Sequence, residues 1–223
     1  MSVSVIVPRT PGIKDRDEIW QFLRPRFCSS WQIIETDDPI KSPLGFNKAA
    51  AINIAIPHIK HEVVIVHDSD VWCDDLCKYI NVVKNNDGVF VTPHNITWKF
   101  NQEKTKRLLD GETLYSKVDG EPQPVNYGGG IVLLRKVMLE QHPLDLRFQG
   151  WGAEDSVWYQ ELKTFYKFHK GDSILWHFYH KERSHDRKEI NRTLYNRYVK
   201  AAKNINDMKK LMLEKPAMIM EGK

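Results

Sequence analysis

The feature that most constrains this chain is a run of four apolar residues followed closely by two carboxylates. Residues 63–66 are typical of a buried strand in an α/β sheet, and Asp68-Ser69-Asp70 follows them after one residue, His67. Open α/β sheets bind their ligands at the carboxyl ends of strands. An i, i+2 carboxylate pair there can hold a divalent cation and, through it, a diphosphate. Short Asp-x-Asp matches are also common as loops and helix caps, so the neighbouring motifs decide the interpretation.

Strands and helices alternate along the first half of the chain. The pattern predicts strands at 3–7, 31–35, 63–67 and 88–92, with helices at 15–23, 47–56 and about 74–84. A polar, poorly periodic segment at 93–124 predicts a long loop, and it is followed by a strand at 131–134, a helix at 154–168 and a short strand at 174–176. The βαβ order indicates a mostly parallel central sheet flanked by helices. We predict an α/β catalytic domain over 1–183 and a basic helical C-terminal extension over 184–223.

Composition leaves more than one class of partner open. A net charge of +4 and a pI near 8.8 fit an anionic ligand such as a nucleotide, and permit nucleic acid without requiring it. No apolar stretch approaches the roughly 20 residues that span a bilayer, so we expect no membrane span. The three cysteines lack zinc-site spacing, and the first residues enter a strand directly. We therefore expect reduced thiols and a cytoplasmic location.

The segment Gly150-Trp151-Gly152-Ala153-Glu154-Asp155 is the second chemically informative motif. Its glycines permit a tight turn that presents the indole as a flat apolar wall, which suits the face of a sugar ring. Glu154 and Asp155 follow at the start of a helix. Acidic residues in a first helical turn also simply complement the helix dipole, so both interpretations stay open.

A third motif, Trp176-His177-Phe178-Tyr179-His180, places two histidines three residues apart after a short strand. They can add imidazole nitrogens to a cation already held by an aspartate, and such mixed ligands favour Mn²⁺ or another transition ion. A histidine beside aromatic residues is also often a packed core residue. His185 lies nearby in a charged segment and is the weaker candidate.

A fourth motif, Phe46-Asn47-Lys48, begins a predicted helix. Lys48 near a helix amino terminus can meet a phosphate, and Phe46 can stack on a base. The alternative is that Phe46 packs as a hydrophobic staple and Lys48 is a solvated charge.

Taken in order, these motifs resemble a GT-A-fold glycosyltransferase, most closely the β-1,4-galactosyltransferase family and its bacterial and viral relatives. The resemblance rests on Phe46-Asn47-Lys48-Ala49 with Asn53, Val66-His67-Asp68-Ser69-Asp70, Tyr127-Gly128-Gly129-Gly130, the Gly150 to Asp155 motif and the two histidines. It implies a GT-A (nucleotide-diphospho-sugar transferase) fold. It also implies metal-dependent, inverting transfer of a hexose from a UDP-sugar to an acceptor hydroxyl, with Mn²⁺ or another divalent cation as cofactor.

The resemblance also implies roles for individual residues. The donor would contact Pro8, Arg9, Phe46, Lys48, Asp68, Tyr127 and Gly129. The metal would be bound by Asp70, His177 and His180. Trp151, Glu154 and Asp155 would frame the acceptor, with Asp155 at the position of the catalytic base and Glu154 as the second catalytic carboxylate.

Three departures from the family pattern accompany the resemblance. Lys48 replaces an arginine and so loses the bidentate fork, His177 stands where a thioether is usual, and Ser156 replaces a third acidic residue. The last change leaves the acceptor open between a glycan precursor, a protein and a hydroxylated base in DNA, for which the C-terminal lysines would supply phosphate contacts. A rival of another class is a catalytically silent GT-A domain that binds a nucleotide or a glycan.

Overall fold

The computed structural model of the chain describes residues 2–41, 45–113, 120–125, 127–150, 152–181 and 188–216. Its strands are β1 Ser4–Pro8, β2 Gln32–Thr36, β3 Val63–His67, β4 Val71–Cys73, β5 Val89–Phe100, β6 Gly120–Gln123, β7 Ile131–Arg135 and β8 Lys167–His177. Its helices are α1 Lys14–Leu23, α2 Lys48–Ala55, α3 Leu76–Asn85, α4 Gln102–Leu109, α5 Lys136–Gln141, α6 Glu154–Phe165, α7 Lys188–Ala201 and α8 Ile205–Leu213.

The strands form one sheet in the order β2-β1-β3-β7-β5-β8-β4, with β6 paired to β5. Strand β1 runs parallel to β2 and β3, and β5 runs parallel to β8. Strand β7 enters between β3 and β5 in the opposite direction, and β4 and β6 are also antiparallel to their partners. The predicted α/β class is confirmed, but the sheet is mixed rather than mostly parallel. Strand–helix alternation predicts parallel pairing only where a helix connects neighbouring strands. The described residues between β6 and β7 contain no helix.

The predicted loop at 93–124 is wrong over much of its length. Strand β5 continues through Pro93 as far as Phe100, and it is followed by α4 and then β6. Pro93 lies at the first of two register shifts, between Thr92 and His94, and both shifts break the period-two pattern of a regular strand. Gly171 on β8 packs against this irregularity, because a Cβ there would lie 2.1 Å from the Pro93 carbonyl oxygen.

Both faces of the sheet are covered by helices. Val5 and Val7 of β1 contribute to the core shared with α1 and α3, whereas Ile6 contributes to the core shared with α2, α5 and α6. This alternation is the expected consequence of successive side chains pointing to opposite faces of a strand. The sheet is therefore a rigid platform whose loops can carry a site.

The C-terminal helices share a third core with α6. Its buried members are Phe148, Val157, Tyr198, Ala201, Met208 and Leu211. The predicted domain boundary between residues 183 and 184 lies outside the described residues and stays a prediction. Among the described residues, no helix combines the length and the apolar character that crossing a bilayer requires.

Candidate active site

The Asp-Ser-Asp motif lies at the edge of the sheet where the parallel strands β1 and β3 end. The backbone N–H of Asp68 donates to the Gly130 carbonyl (2.8 Å), and the Gly130 N–H donates back to Asp68 Oδ2 (3.2 Å). His67 Nδ1 donates to the Asp68 carbonyl oxygen (2.8 Å), and burial lowers the pKa of His67 to about 4, so its ring is neutral. These bonds fix the backbone from which Asp68 and Asp70 project.

The three predicted metal ligands lie together. Ligand atoms of Asp70, His177 and His180 all lie within 4.8 Å of one another. His180 Nε2 is 3.1 Å from Asp70 Oδ2, and His177 Nε2 is 3.9 Å from Asp70 Oδ1. The register of β4 on β8 pairs Val71 with His177, and the Phe178 N–H donates to the Asp70 carbonyl (2.9 Å). Strand pairing therefore brings together residues that are more than a hundred positions apart.

The chemistry of this group fits a divalent cation. Burial opposes ionisation of Asp70, but the hydrogen bond from His180 and the charge of Arg16 hold the pKa of Asp70 well below its usual range. Burial lowers the pKa of His177, which favours its neutral form. His180 Nδ1 donates to the Lys181 carbonyl (3.1 Å), so a cation that replaces the proton between Nε2 and Asp70 would meet the Nε2 lone pair. An ionised carboxylate and neutral imidazoles are the forms that bind a metal.

Arg16 on α1 joins this group, although it was not among the predicted site residues. Its Nη1 atom is 3.1 Å from Asp70 Oδ2, and its Nη2 atom is 3.2 Å from His180 Nε2. The guanidinium also borders a depression lined by Pro8, Arg9, Thr10, Ile13, Arg16, Phe46 and Ser69. A signal was present, because a helix that follows β1 directly has its first turn at the same edge of the sheet as Asp70.

Arg9, a predicted donor contact, is engaged in ion pairs. Its guanidinium pairs with Asp17 on α1 and lies 3.1 Å from Glu35 on β2. Its backbone N–H donates to the Thr36 carbonyl (2.8 Å). Two carboxylates already balance its charge, so Arg9 supports the wall of the depression, while Arg16 presents its guanidinium toward Asp70.

Lys48 connects the Asp-Ser-Asp motif to the start of α6. Asn47 caps α2 by accepting from the Ala50 N–H (2.9 Å), which sets Lys48 at the first helical position. The Lys48 ammonium lies 2.6 Å from Asp68 Oδ1 and 3.0 Å from both carboxylate oxygens of Asp155. The interpretation of Lys48 as a solvated charge is therefore wrong, since its side chain is only 13% exposed.

The Lys48 ammonium lies close to three carboxyl groups, and the pKa values of Lys48, Glu154 and Asp155 reflect this crowding. Against the cost of burial, the charges of Asp155 and Asp68 raise the pKa of Lys48 above its ordinary value. Burial, with the neighbouring charges of Glu154 and Asp68, raises the pKa of Asp155 to about 8. Burial also raises the pKa of Glu154. A carboxyl group with a pKa near neutrality is suited to accept a proton from a reacting hydroxyl.

The turn before Asp155 has an unusual backbone. Gly150, Gly152 and Ala153 have φ values of 68°, 121° and 76°, and a left-handed alanine is sterically unfavourable. Glu154 is buried and accepts from the Gly152 N–H (3.0 Å), so it holds the turn closed. Asp155 instead directs its carboxylate to Lys48. Trp151, the predicted acceptor wall, lies outside the described residues, as does His185.

The glycine-rich segment before β7 packs closely against the same turn. A Cβ on Gly128 would lie 1.8 Å from the Asp155 carbonyl oxygen, so only glycine fits there. Gly129 accepts from the Ile131 N–H (3.0 Å), and the Tyr127 carbonyl accepts from Thr92 Oγ1 (2.5 Å). The Tyr127 ring packs against Phe168 and Tyr159, with centroids 5.4 and 5.7 Å away. The predicted contacts of Tyr127 and Gly129 with the donor sugar stay predictions.

The chain is similar to known proteins both in a family sequence pattern and in its fold. The family model described as glycosyl transferase family 2 matches residues 38–140. Among curated protein sequences, none matches the chain significantly. The mannosyltransferase PcManGT of Pyrobaculum calidifontis, solved with GDP-Man and Mn²⁺, is similar at 15% identity and a TM-score of 0.54, over 95% of this chain and 70% of that one.

Two further solved structures are similar. Staphylococcus aureus TarS, in complex with UDP-GlcNAc, has 14% identity and a TM-score of 0.52 over 82% of this chain and 60% of that one. A mutant of Drosophila β1,4-galactosyltransferase 7, in complex with manganese, UDP-Gal and xylobiose, has 14% identity and a TM-score of 0.50 over 86% of this chain and 79% of that one.

At such low identity these likenesses establish the architecture, which is the GT-A fold. The family match assigns residues 38–140 to a glycosyltransferase family. The resemblance to β-1,4-galactosyltransferases is thus confirmed as a shared fold. It carries no information on a shared substrate.

Proposed function

We propose that the protein transfers a hexose from a UDP-sugar to an acceptor hydroxyl, with inversion at the anomeric carbon and a divalent cation held by Asp70, His177 and His180. The observation that carries the proposal is the Lys48 ammonium, within 3.0 Å of both Asp68 and Asp155. This contact places the candidate base beside the Asp-Ser-Asp motif, whose second aspartate belongs to the candidate cation site. Support also comes from the relatives of the same fold that were solved with Mn²⁺ and a nucleotide sugar.

Each residue has a distinct task in this reaction. A cation at the Asp70 group would offset the charge that develops on the departing diphosphate. Asp155 takes the proton of the incoming hydroxyl while the bond from the anomeric carbon to the diphosphate breaks. Lys48 limits the charge that Asp68 and Asp155 build up together, and Glu154 fixes the turn that carries Asp155. Phe46 offers a half-buried aromatic ring beside the depression where the base of the nucleotide would lie.

A donor screen tests this proposal. Release of the nucleoside diphosphate would be measured with Mn²⁺ and each of UDP-galactose, UDP-glucose, UDP-N-acetylglucosamine and GDP-mannose, for the native chain and for Asp70→Asn. We expect release from a UDP-hexose by the native chain and its loss in the variant. Tight binding of UDP with no release from any donor, with or without a panel of sugar acceptors, would favour the silent nucleotide-binding domain.

The alternative acceptor, DNA, has no specific observation in its favour. Lys200, Lys203, Lys209 and Lys210 of the C-terminal helices are exposed, as a solvated helix surface would have them. None of the similar structures described above was solved with nucleic acid. A carbohydrate hydroxyl is therefore the acceptor that we propose.

The pH dependence of the reaction is expected to report Asp155. With the pKa of Asp155 raised to about 8, the free enzyme holds a proton there at neutral pH, and kcat/KM should rise with pH through about 8. In Lys48→Met the ammonium that lowers this pKa is gone, so the rise should move to higher pH. Lys209→Met, an exposed change on α8, should leave the profile unchanged. A profile that is identical in Lys48→Met and the native chain would contradict the role of Lys48.

Arg16 is expected to bind the diphosphate. A guanidinium can form two parallel hydrogen bonds with phosphate oxygens, so Arg16→Met should weaken UDP binding in Mn²⁺ by about tenfold or more, as charge-assisted bonds are worth roughly 1.5–3 kcal/mol. Binding of Mn²⁺ alone should not weaken, because Arg16 competes with a cation for Asp70. Calorimetric titrations would measure both. Arg24→Met, which removes an exposed arginine of the same region, is the matched control, and equal UDP affinity in the two variants would refute the role.

A further inference from the structure

Asn191 on α7 is a buried polar residue whose side chain hydrogen-bonds the loop before α6. It is 2% exposed. Its Nδ2 group donates to the carbonyl oxygens of Gln149 (3.1 Å) and Gly152 (2.9 Å), and its Oδ1 atom accepts from the Gln149 N–H (3.3 Å). A single amide from the C-terminal region therefore bonds the backbone on both sides of position 151.

The loop that Asn191 holds needs external support. Its backbone has positive φ at Gly150, Gly152 and Ala153, and a strained alanine persists only where the surrounding structure fixes it. Glu154 bonds the Gly152 N–H, and Asn191 bonds the Gly152 carbonyl. The peptide groups immediately before Asp155 are thus held by one carboxylate from α6 and one amide from α7.

Helix α7 is itself anchored firmly enough to act as a support. Tyr198 lies seven residues after Asn191, on the same buried face of α7, and its hydroxyl donates to Asp145 Oδ2 (2.8 Å). Tyr198 also packs in the core that α6, α7 and α8 share. Arg147 joins Asp145 to Glu214 beyond α8 through ion pairs of 2.7 and 3.0 Å. The C-terminal helices and the segment before α6 therefore form one packed unit.

We propose that Asn191 is a positioning residue of the acceptor site, which makes the C-terminal helices part of the catalytic unit. The proposal rests on the proposed function, because it takes Asp155 as the base that meets the acceptor hydroxyl. Asn191 sets the loop from which Asp155 begins α6, so its loss displaces the base relative to the acceptor. The donor side is held separately, by bonds between Asp68 and Gly130 and by the pairing of β4 with β8. Loss of Asn191 therefore affects the acceptor and spares the nucleotide.

The test compares Asn191→Asp, Asn191→Ala and Asn196→Ala. Aspartate keeps the shape and the Oδ1 acceptor, but it removes the donor to two carbonyl oxygens and sets a carboxylate against them. Asn196 is an exposed residue of the same helix and provides the control. The measurements are UDP affinity in Mn²⁺, donor hydrolysis without acceptor, KM and kcat with the best acceptor of a panel of p-nitrophenyl glycosides, and amide hydrogen exchange of residues 148–153.

For Asn191→Asp we expect the acceptor KM to rise by about tenfold, since the carboxylate leaves two buried carbonyl oxygens without their donor. Amide exchange at 148–153 should become faster, while UDP affinity stays within about twofold of the native value. Asn196→Ala should match the native chain in every measurement. Asn191→Ala should show the same selective loss, and a melting temperature near the native value would exclude global unfolding as its cause.

Two results would overturn the proposal. One is an unchanged acceptor KM and unchanged exchange in Asn191→Asp. The other is a parallel loss of UDP affinity and acceptor affinity, which would make Asn191 a residue of general stability. If the native chain neither binds UDP nor releases it from any donor, the proposed function fails instead. The exchange measurement then still decides whether Asn191 holds the loop.

Discussion

Replacing Asp155 with asparagine is expected to lower kcat by roughly 10²–10⁴-fold, the usual contribution of general-base assistance. An amide can still accept a hydrogen bond from Lys48, which lies 3.0 Å from the carboxylate, but it cannot take the proton of the acceptor hydroxyl. The affinity for the UDP-sugar should stay nearly unchanged. Steady-state kinetics, combined with calorimetric titration of UDP in Mn²⁺, would separate the two quantities.

Glu154→Gln is the matched comparison for this prediction. Glu154 accepts from the Gly152 N–H and holds the turn. Replacing its carboxylate with the amide of glutamine should therefore weaken acceptor binding more than it slows the chemical step. Near-normal turnover in Asp155→Asn together with an inactive Glu154→Gln would mean that the two carboxylates have exchanged roles. If both variants stay active, the acidic pair only begins a helix and the base lies elsewhere.

Chelation of divalent cations is expected to abolish activity, and Mn²⁺ should restore it best. A carboxylate with two imidazoles favours a transition ion over Mg²⁺. Asp70→Asn, His177→Ala and His180→Ala should each cause a large loss of Mn²⁺-dependent UDP binding, because the three ligands lie within 4.8 Å of one another and act together. Electron paramagnetic resonance of bound Mn²⁺ would measure the loss directly.

Histidines outside this group provide the controls for the metal prediction. His58→Ala removes an exposed imidazole three residues after the end of α2 and should have no effect. His185→Ala should also be without effect. A strong loss in His185→Ala with none in His180→Ala would show that the wrong histidine was assigned, and full activity in excess chelator would refute the metal site altogether.

The regular elements of the fold could be predicted because their patterns are local. Strands β1 and β3 are short apolar runs with turn or acidic residues after them, and the structure has them within a residue of their predicted positions. Strand β5 could not be predicted beyond Thr92, since Pro93 and the register shifts around His94 remove the alternation on which the prediction relies. The antiparallel entry of β7 depends on its partners, which no local pattern encodes.

The site shows the same division between local motifs and distant contacts. The proximity of Asp70, His177 and His180 could be predicted, because each belongs to a motif with its own chemical meaning. Arg16 reads as an ordinary helical charge, and its contact with His180 spans 164 residues of sequence. Asn191 meets Gln149 across 42 residues. For Lys48 the position was found, but its pairing with Asp155, 107 residues away, depends on how α6 meets α2.

Calorimetric titration of UDP in the presence and absence of Mn²⁺ tests the central claim most directly. If the depression beside Arg16 and the Asp70 group together hold a nucleoside diphosphate through a cation, UDP should bind in Mn²⁺, and excess chelator should weaken that binding by about 100-fold or more, a loss of roughly 2.8 kcal/mol. UDP binding of equal strength with and without chelator, or no UDP binding in Mn²⁺, would contradict the account.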